Sequence, residues 1–470
     1  MRKQLISSAL LIALFAANIF GQAGSIEGNW LGTLELGETK LRLVFKVSKT
    51  ATGFQGKFDS TDQGVTDLDL DSVTIENGLI RFEGKRFGFK YEGKLNDKGD
   101  EISGTFSQGP GSFPLVLKRV NEAPTLVRPQ DPKKPYPYDE EEVSYKNAKD
   151  NVKLAGALTL PRGGGSHPAV LLITGSGPQD RNEMVAGHRP FLVLADHLTR
   201  NGIAVLRVDD RGVGGSDLGS SAATSENFAE DVLAGVQYLK TRKEINPKRI
   251  GLIGHSEGGM IAPIVAARST DVAFIVLLAG MGQRGEDVLY SQTELIQKAA
   301  GTDPETIKHA NELQKRIYAI VKTQHDTTRL GELINEEITR FVAGLNETQR
   351  KAFEPTESTI KALQPMFRTP WFRYFVMFDP STVLKKVTVP VLALNGELDL
   401  QVPYKENLDL IAAGLKGANN KDVTTKSFPK LNHLFQTAQT GALSEYFKIE
   451  ETMSPEVLKT ISDWILARAK

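Results

Sequence analysis

Hydrophobic and polar positions follow two different rhythms along this chain. From about Ser25 to Val120 the runs are short and alternate with a period of two, as in Lys40-Leu41-Arg42-Leu43-Val44-Phe45-Lys46-Val47. Glycine-containing turns at Thr52-Gly53, Asn77-Gly78 and Lys98-Gly99 separate them. Regularly spaced strands with turn signals between them predict a small antiparallel domain, a sandwich or a barrel, over residues 24–120. No catalytic constellation is visible in it.

Prolines at 124, 129, 132, 135 and 137 then mark residues 121–139 as a stiff, extended linker. Beyond it, over 140–470, the rhythm changes. Continuously apolar runs (Ala169 to Thr174, Ile203 to Val208, Arg249 to Ile253, Ala273 to Leu278, Val389 to Leu394) alternate with stretches of helical period. Phe228, Val232, Val236 and Leu239 are one such stripe, and Pro190 to Arg200 holds another. Strands without a polar face, alternating with helices, predict an α/β fold whose mostly parallel sheet is covered by helices on both faces. Residues 283–380 break the pattern. They are helical in period, rich in charge and lack buried-strand runs, which reads as a helical cap inserted over the sheet's C-terminal edge. The sheet resumes near Val387, and Pro455 to Ala469 forms a closing amphipathic helix.

The N-terminus reads as a targeting signal over residues 1–23: Arg2 and Lys3, an apolar stretch from Leu5 to Phe20, then small residues around Gly21-Gln22-Ala23. The apolar run is shorter than the roughly 20 residues that span a bilayer comfortably. An uncleaved anchor is the alternative. An exported protein, periplasmic or secreted, with no membrane span after cleavage is the expectation.

Composition narrows the chemistry. The chain has 57 Lys+Arg against 57 Asp+Glu, so no charge imbalance points to nucleic acid, and a small-molecule substrate is the better expectation. It has no cysteine, which removes disulfides, thiolate catalysis and cysteine-type zinc sites. No ligand cluster of zinc type is present, so no metal is expected.

One segment carries a specific chemical signal: Gly254-His255-Ser256-Glu257-Gly258-Gly259, preceded by an apolar strand and followed by the helical Met260 to Ala267. A serine between two such glycines at a strand–helix junction sits on a sharp turn with its hydroxyl exposed. Side chains at 254 and 258 would collide with the neighbouring strand and helix. A serine hydroxyl needs a base, and the base needs an orienting carboxylate. Downstream, Asp399 follows the strand ending at Leu394, and His433 follows the strand-like Val423 to Phe428. Glu397 is a competing acid. Of the other histidines after Ser256, His309 and His325 lie in polar helical stretches, where a solvated surface role is expected. His255 adjoins the nucleophile but faces the wrong side to be its base. The oxyanion donors expected are the backbone N–H of Glu257 and that of Ser176, the latter in the loop Thr174-Gly-Ser-Gly-Pro-Gln-Asp-Arg181. An ordinary glycine-rich turn is the alternative reading of that loop.

With Asp209-Asp-Arg-Gly-Val-Gly-Gly-Ser216, Asn395-Gly-Glu-Leu-Asp399 and Asn432-His433 added to the two words above, residues from about Val143 to Lys470 resemble the α/β-hydrolase superfamily. Within it they are most similar to EstD-type bacterial carboxylesterases. The resemblance implies hydrolysis of small carboxylic esters through an acyl-serine intermediate, without metal or cofactor, with Ser256, Asp399 and His433 as the triad in that chain order. The loop departs from lipases of the His-Gly-Gly-Gly type, because Thr174 stands where those have histidine. Two other readings stay open: a serine peptidase or amidase, which needs a charged group for a peptide terminus, and a catalytically inactive binding module.

The densest aromatic stretch, Trp371 to Phe378, suggests a substrate pocket built by the insertion, with Trp371, Phe372 and Phe375 as its wall. Aromatics that merely anchor the insertion to the sheet are the alternative.

Overall fold

The computed structural model describes residues 25–468, apart from 37–38, 64, 110 and 124–126. The expected targeting signal lies outside the described residues. The chain divides into two compact units, Met1–Thr125 and Leu126–Lys470.

In the first unit nine strands form one antiparallel sheet: β1 (Gly28–Leu36), β2 (Thr39–Thr50), β3 (Gly53–Ser60), β4 (Val65–Asp69), β5 (Ser72–Glu76), β6 (Leu79–Gly84), β7 (Phe89–Leu95), β8 (Glu101–Gln108) and β9 (Gly111–Val120). Their order is β4-β3-β2-β1-β9-β8-β7-β6-β5. The alternating pattern of the sequence becomes one buried and one exposed face. The sheet curls until its two edges meet: after β4, Leu70 N–H reaches Gly56 O (2.9 Å) in β3, and Asp71 N–H reaches Glu83 O (2.8 Å) in β6. The enclosed face is aromatic. Phe45, fully buried, lies 4.7 Å from Phe82, 5.1 Å from Phe58 and 5.6 Å from Tyr91, ring centre to ring centre. The turn between β5 and β6 has positive φ at both Asn77 (51°) and Gly78 (77°), the backbone that a right-twisted two-residue hairpin requires.

In the second unit an eight-stranded sheet runs β10 (Asp139–Asn147), β11 (Val152–Leu160), β13 (Ala204–Val208), β12 (His167–Ile173), β14 (Ile245–His255), β15 (Phe274–Leu278), β16 (Val391–Gly396), β17 (Val423–Phe428). Only β11 opposes its neighbours; from β13 to β17 every pairing is parallel. This is the mostly parallel sheet that the strand–helix alternation suggested, in the α/β-hydrolase fold that the resemblance implied. Two apolar cores lie on opposite faces of the sheet. Helices α2 (Ser225–Lys240), α3 (Gly258–Ala266) and α11 (Tyr404–Gly417) cover one. Helices α1 (Pro190–Arg200) and α12 (Pro455–Arg468) cover the other.

Between β15 and β16 comes the insertion: α4 (Gly285–Ala299), α5 (Pro304–Thr323), α6 (Thr327–Ala343), α7 (Glu347–Ala362), α8 (Gln364–Phe367) and α9 (Pro370–Met377), before the short α10 (Ser381–Leu384). It has a core of its own, including Leu313, Ile317, Phe353 and Phe372. Asp303, Asp326, Asn346 and Thr369 each cap a helix start by accepting a backbone N–H, so α5, α6, α7 and α9 begin where the sequence offers a capping side chain. His309 is only partly solvated, where its polar neighbourhood suggested an open surface position. It is half-buried, edge-on to Phe341 (6.0 Å) and Phe353 (6.4 Å), whereas His325 is exposed.

The second half of the proline-rich segment packs on this unit. Arg128 donates to Ile449 O (3.0 Å) and Ala186 O (2.9 Å), Gln130 exchanges hydrogen bonds with Thr452 and Met453, and Asp131 pairs with Arg189 (2.6 Å). The described part of this segment is not the extended linker expected: it bends and turns, with Asp131 N–H donating to Arg128 O (3.1 Å), and its polar side chains hold it against the unit.

The aromatic cluster of the first unit predicts that Phe45→Ala costs that unit about 3–5 kcal/mol. Amide hydrogen exchange in β2, β6 and β7 of the full chain measures it. A loss below about 1 kcal/mol would show that the core is not organised around this ring.

Candidate active site

The last residue of β14 is His255, and the chain turns at Ser256 with φ of 53°, a left-handed conformation costly for any residue with a Cβ. Ser256 N–H donates to Leu278 O (2.8 Å) at the end of β15. The turn survives because nothing lies between the strand end and α3. A Cβ at Gly254 would come within 2.0 Å of Gly258 O, and one at Gly258 within 2.1 Å of Ile173 O.

His433 and Asp399 come from separate loops. Asp399, after β16, is 3% exposed and fully engaged: Oδ1 accepts from the N–H groups of Gln401 (2.8 Å) and Val402 (2.9 Å), and Oδ2 lies 2.8 Å from His433 Nδ1. Because the carboxylate accepts, Nδ1 carries a proton and Nε2 is left with the lone pair. Glu397 turns elsewhere and accepts from Ser427 Oγ (2.8 Å). The His433 loop is shaped by Asn432, whose Oδ1 takes the N–H groups of Leu434 (3.0 Å) and Gln436 (2.9 Å). Ser256 and His433 line one cavity of about 810 Å³, together with Gly175, Ser176, Trp371, Phe372 and Phe375.

The loop after β12 crosses the elbow. A Cβ on Gly175 would sit 3.3 Å from that of Ser256. The backbone N–H groups of Ser176 and Glu257 take no part in the loop, turn and cap hydrogen bonds of the two segments. The Glu257 side chain is buried and joins three segments: it accepts from Ser225 Oγ (2.7 Å) at the start of α2, from Trp371 Nε1 (2.8 Å) in α9, and from the Ser176 hydroxyl. Burial pushes its carboxyl up from the usual range, since these neutral donors replace water only in part.

Trp371 thus joins the cap to the elbow. Phe372 packs within the insertion core, 5.4 Å from Tyr318, and Phe375 packs against the sheet-side core, 5.6 Å from Trp371. All three both line the cavity and hold the cap.

A buried polar network that sequence reasoning missed lies behind the loop. His255 Nδ1 meets Glu183 Oε1 (2.9 Å), Glu183 Oε1 also accepts Gly175 N–H (2.7 Å), and His255 Nε2 donates to the carbonyl of His433 (3.0 Å). A carbonyl can only accept, so Nε2 must hold a proton. Burial pulls the His255 imidazole down, but the Glu183 carboxylate and the His433 carbonyl outweigh it and raise it overall. One step away, Asp210 accepts from Thr174 Oγ1 (2.9 Å) and Gln179 N–H (3.0 Å), and burial pushes it up to about 7, with Glu183 and Glu257 adding repulsion. Asp209 pairs with Arg181 (2.7 Å), and Arg211 joins Asp231 (2.6 Å) to Asp150 (2.6 Å). The words Thr174–Arg181 and Asp209–Ser216 therefore meet as one charged scaffold under the candidate oxyanion loop. Glu183, two residues beyond the first word, had no signal of its own. Among the described residues no group of three His, Cys, Asp or Glu side chains could hold a metal ion.

The family described as Serine aminopeptidase, S33 matches residues 189–437, from the start of α1 to the His433 loop. The chain belongs to this hydrolase family. Esterase EstD of Thermotoga maritima is 25% identical over 370 residues, covering 79% of this chain and 75% of its own. Among solved structures, the Pyrococcus furiosus esterase Pf2001 overlaps with a TM-score of 0.42 at 15% identity, over 74% of this chain and 100% of its own. The alpha/beta hydrolase GrgF of Penicillium overlaps at 0.41 and 16%, over 70% and 99%.

Asp210 gives this family member a testable pH signature. Its folded pKa is raised from 3.8 to about 7, so the folded state holds a proton that the unfolded state has released, and stability falls as pH rises through that window. Asp210→Asn removes this slope. Its melting temperature relative to the unchanged protein is expected to climb between pH 4 and pH 8, and a constant offset across that range would show that Asp210 is ionised throughout.

Proposed function

We propose that this chain is a serine carboxylesterase acting on small carboxylic esters. The observation that carries the reading is the buried His433–Asp399 pair, 2.8 Å apart, whose histidine lines the same cavity as the half-buried Ser256 on its left-handed turn. Ser256 Oγ attacks the ester carbonyl carbon while His433 Nε2 takes its proton. The tetrahedral oxyanion is held by the N–H groups of Ser176 and Glu257, and collapse expels the alcohol, which leaves with the proton from His433. Water then attacks the acyl-serine with His433 again as base, and the carboxylic acid departs as Ser256 recovers its proton. Asp399 fixes the tautomer and supports the imidazolium. The wall formed by Trp371, Phe372 and Phe375 takes the acyl group.

The family's description and the notion of a peptide substrate make an aminopeptidase the second reading. A peptide ammonium needs an unengaged carboxylate. Among the described residues Glu183 is the one acidic residue lining the cavity, and its Oε1 already serves His255 and Gly175. That favours a neutral ester, as does 25% identity to an esterase over most of the chain. The basic start, apolar stretch and small residues of the first 23 positions support export to the periplasm or medium.

A fluorophosphonate should label the protein at Ser256 and not after Ser256→Ala, which an inactive binding module would not do. Ser256→Ala and His433→Ala are each expected to lower kcat by about 10⁶-fold in a folded protein. Asp399→Asn should cost about 10⁴-fold. Ordinary turnover by folded Ser256→Ala would refute the mechanism, and a crippling Glu397→Gln with a mild Asp399→Asn would move the acid. Short acyl esters should be hydrolysed in preference to aminoacyl anilides; the reverse ranking would favour the peptidase.

A further inference from the structure

The two residues assigned as oxyanion donors through their backbone N–H groups are also joined to each other through their side chains. The Ser176 hydroxyl donates to the Glu257 carboxyl, from the loop after β12 to the elbow. The same carboxyl accepts Trp371 Nε1 (2.8 Å) from α9 and Ser225 Oγ (2.7 Å) from the start of α2. One side chain therefore touches the oxyanion loop, the cap and a helix that covers the sheet, while its own main chain forms half of the candidate hole. The other anchors of the loop, Gly175 N–H on Glu183 (2.7 Å) and Gln179 N–H on Asp210 (3.0 Å), do not lead to the cap. The Ser176 hydroxyl does, through Glu257. At the cap end the support is firm, because Tyr374 in α9 donates to Glu226 Oε1 in α2 (2.7 Å) close by.

A carboxyl is a costly choice at this position. Glu257 is 2% exposed, and among the described residues no cation pairs with it. Asp210 and the Tyr374 hydroxyl feel it as a negative charge that disfavours their own ionisation. A negative charge beside the hole also opposes the anion that forms there. An apolar side chain of similar size would avoid both costs, but would leave the indole N–H and two hydroxyls without an acceptor. What the carboxyl supplies is geometry. Two oxygens with about four acceptor positions can take donors from three segments at once.

We propose that the Glu257 side chain is a positioning residue that holds Ser176 and the elbow in register as the two halves of the oxyanion hole, braced on Trp371 of the cap. The cap then serves the chemical step as well as binding. The proposal rests on the reading of Ser256 as nucleophile with Ser176 and Glu257 as donors. Because the hole acts on the tetrahedral anion, loss of register lowers kcat and spares KM.

The test is a double-mutant cycle in the full chain. Ser176→Ala removes the hydroxyl and keeps the backbone N–H, and Trp371→Phe removes the indole N–H and keeps an aromatic wall. Each is expected to lower kcat about tenfold on a short acyl ester, counted per active site titrated with a fluorophosphonate, with KM within about twofold. If both bonds belong to one brace, the double variant also loses about tenfold, whereas independent roles multiply to about a hundredfold. Ser176→Thr, which restores a hydroxyl, should recover most of the activity. The same cycle is read without turnover by the affinity of an alkylboronic acid, whose tetrahedral adduct on Ser256 places an anionic oxygen in the hole. Multiplying losses in either readout, or losses confined to KM, would overturn the brace. So would a Ser225→Ala loss in kcat equal to the other two, since that change takes a donor from Glu257 without touching loop or cap and would mark a general loss of packing. Coupling in boronate affinity with no ester hydrolysis by the unchanged protein would instead overturn the esterase reading and leave the brace standing.

Discussion

Where β14 gives way to α3 the backbone has no room for side chains. Gly258 lies so close to the carbonyl of Ile173 that a single added carbon would stand 2.1 Å from it, and Gly254 is equally confined against Gly258. This closeness holds the turn at Ser256 in its left-handed conformation, which few residues with a Cβ adopt. It also brings the start of α3 beside the end of β12, so that the N–H of Glu257 and the loop beginning at Thr174 come to the same side of the sheet. The strain at one residue is sustained by the packing of two strands and a helix around it.

Around this turn the protein gathers three carboxyl groups, Glu183 and Glu257 buried and Asp210 half-buried. Glu183, Asp210 and Glu257 lie close enough for the first and last to disfavour ionisation of the second. Each is handled differently. Glu183 has the His255 imidazole as partner, Asp210 rises to about 7 among a hydroxyl and a backbone N–H, and Glu257 is given three neutral donors. Such groups are costly in a low-dielectric interior unless every lone pair is engaged. Their return is connection: His255 joins the candidate oxyanion loop to the backbone of His433, and Glu257 joins the elbow to Trp371 in the cap.

The cap answers to different physics. Its helices have an apolar core and side-chain caps of their own, while its inner surface is apolar and neutral-polar. Trp371, Phe372 and Phe375 belong to both, so the distinction between core and pocket wall does not divide these residues. A helix whose one face packs inward and whose edge borders a cavity gives its aromatics both duties at once.

The sequence alone determined what depends on local geometry. Period-two alternation gave the first unit its strands, continuous apolar runs gave the parallel sheet, and the glycines at 254 and 258 announced the elbow because no other residue fits a strand end pressed on a helix start. The order of Ser256, Asp399 and His433 along the chain was legible too, the first two following apolar strands and the third the more polar strand-like run Val423 to Phe428. Only the tertiary structure decided which carboxylate meets His433: Asp399 and Glu397 are two residues apart, and the direction each takes depends on the loop's contacts with Gln401, Val402 and Ser427. The partnership of Glu183 with His255, 72 positions away, and the raised pKa of Asp210 were equally out of reach, since burial and long-range pairing set them. The charge-free inner wall of a charge-rich insertion was hidden too, because a helix's composition does not say which of its faces the fold turns toward a cavity.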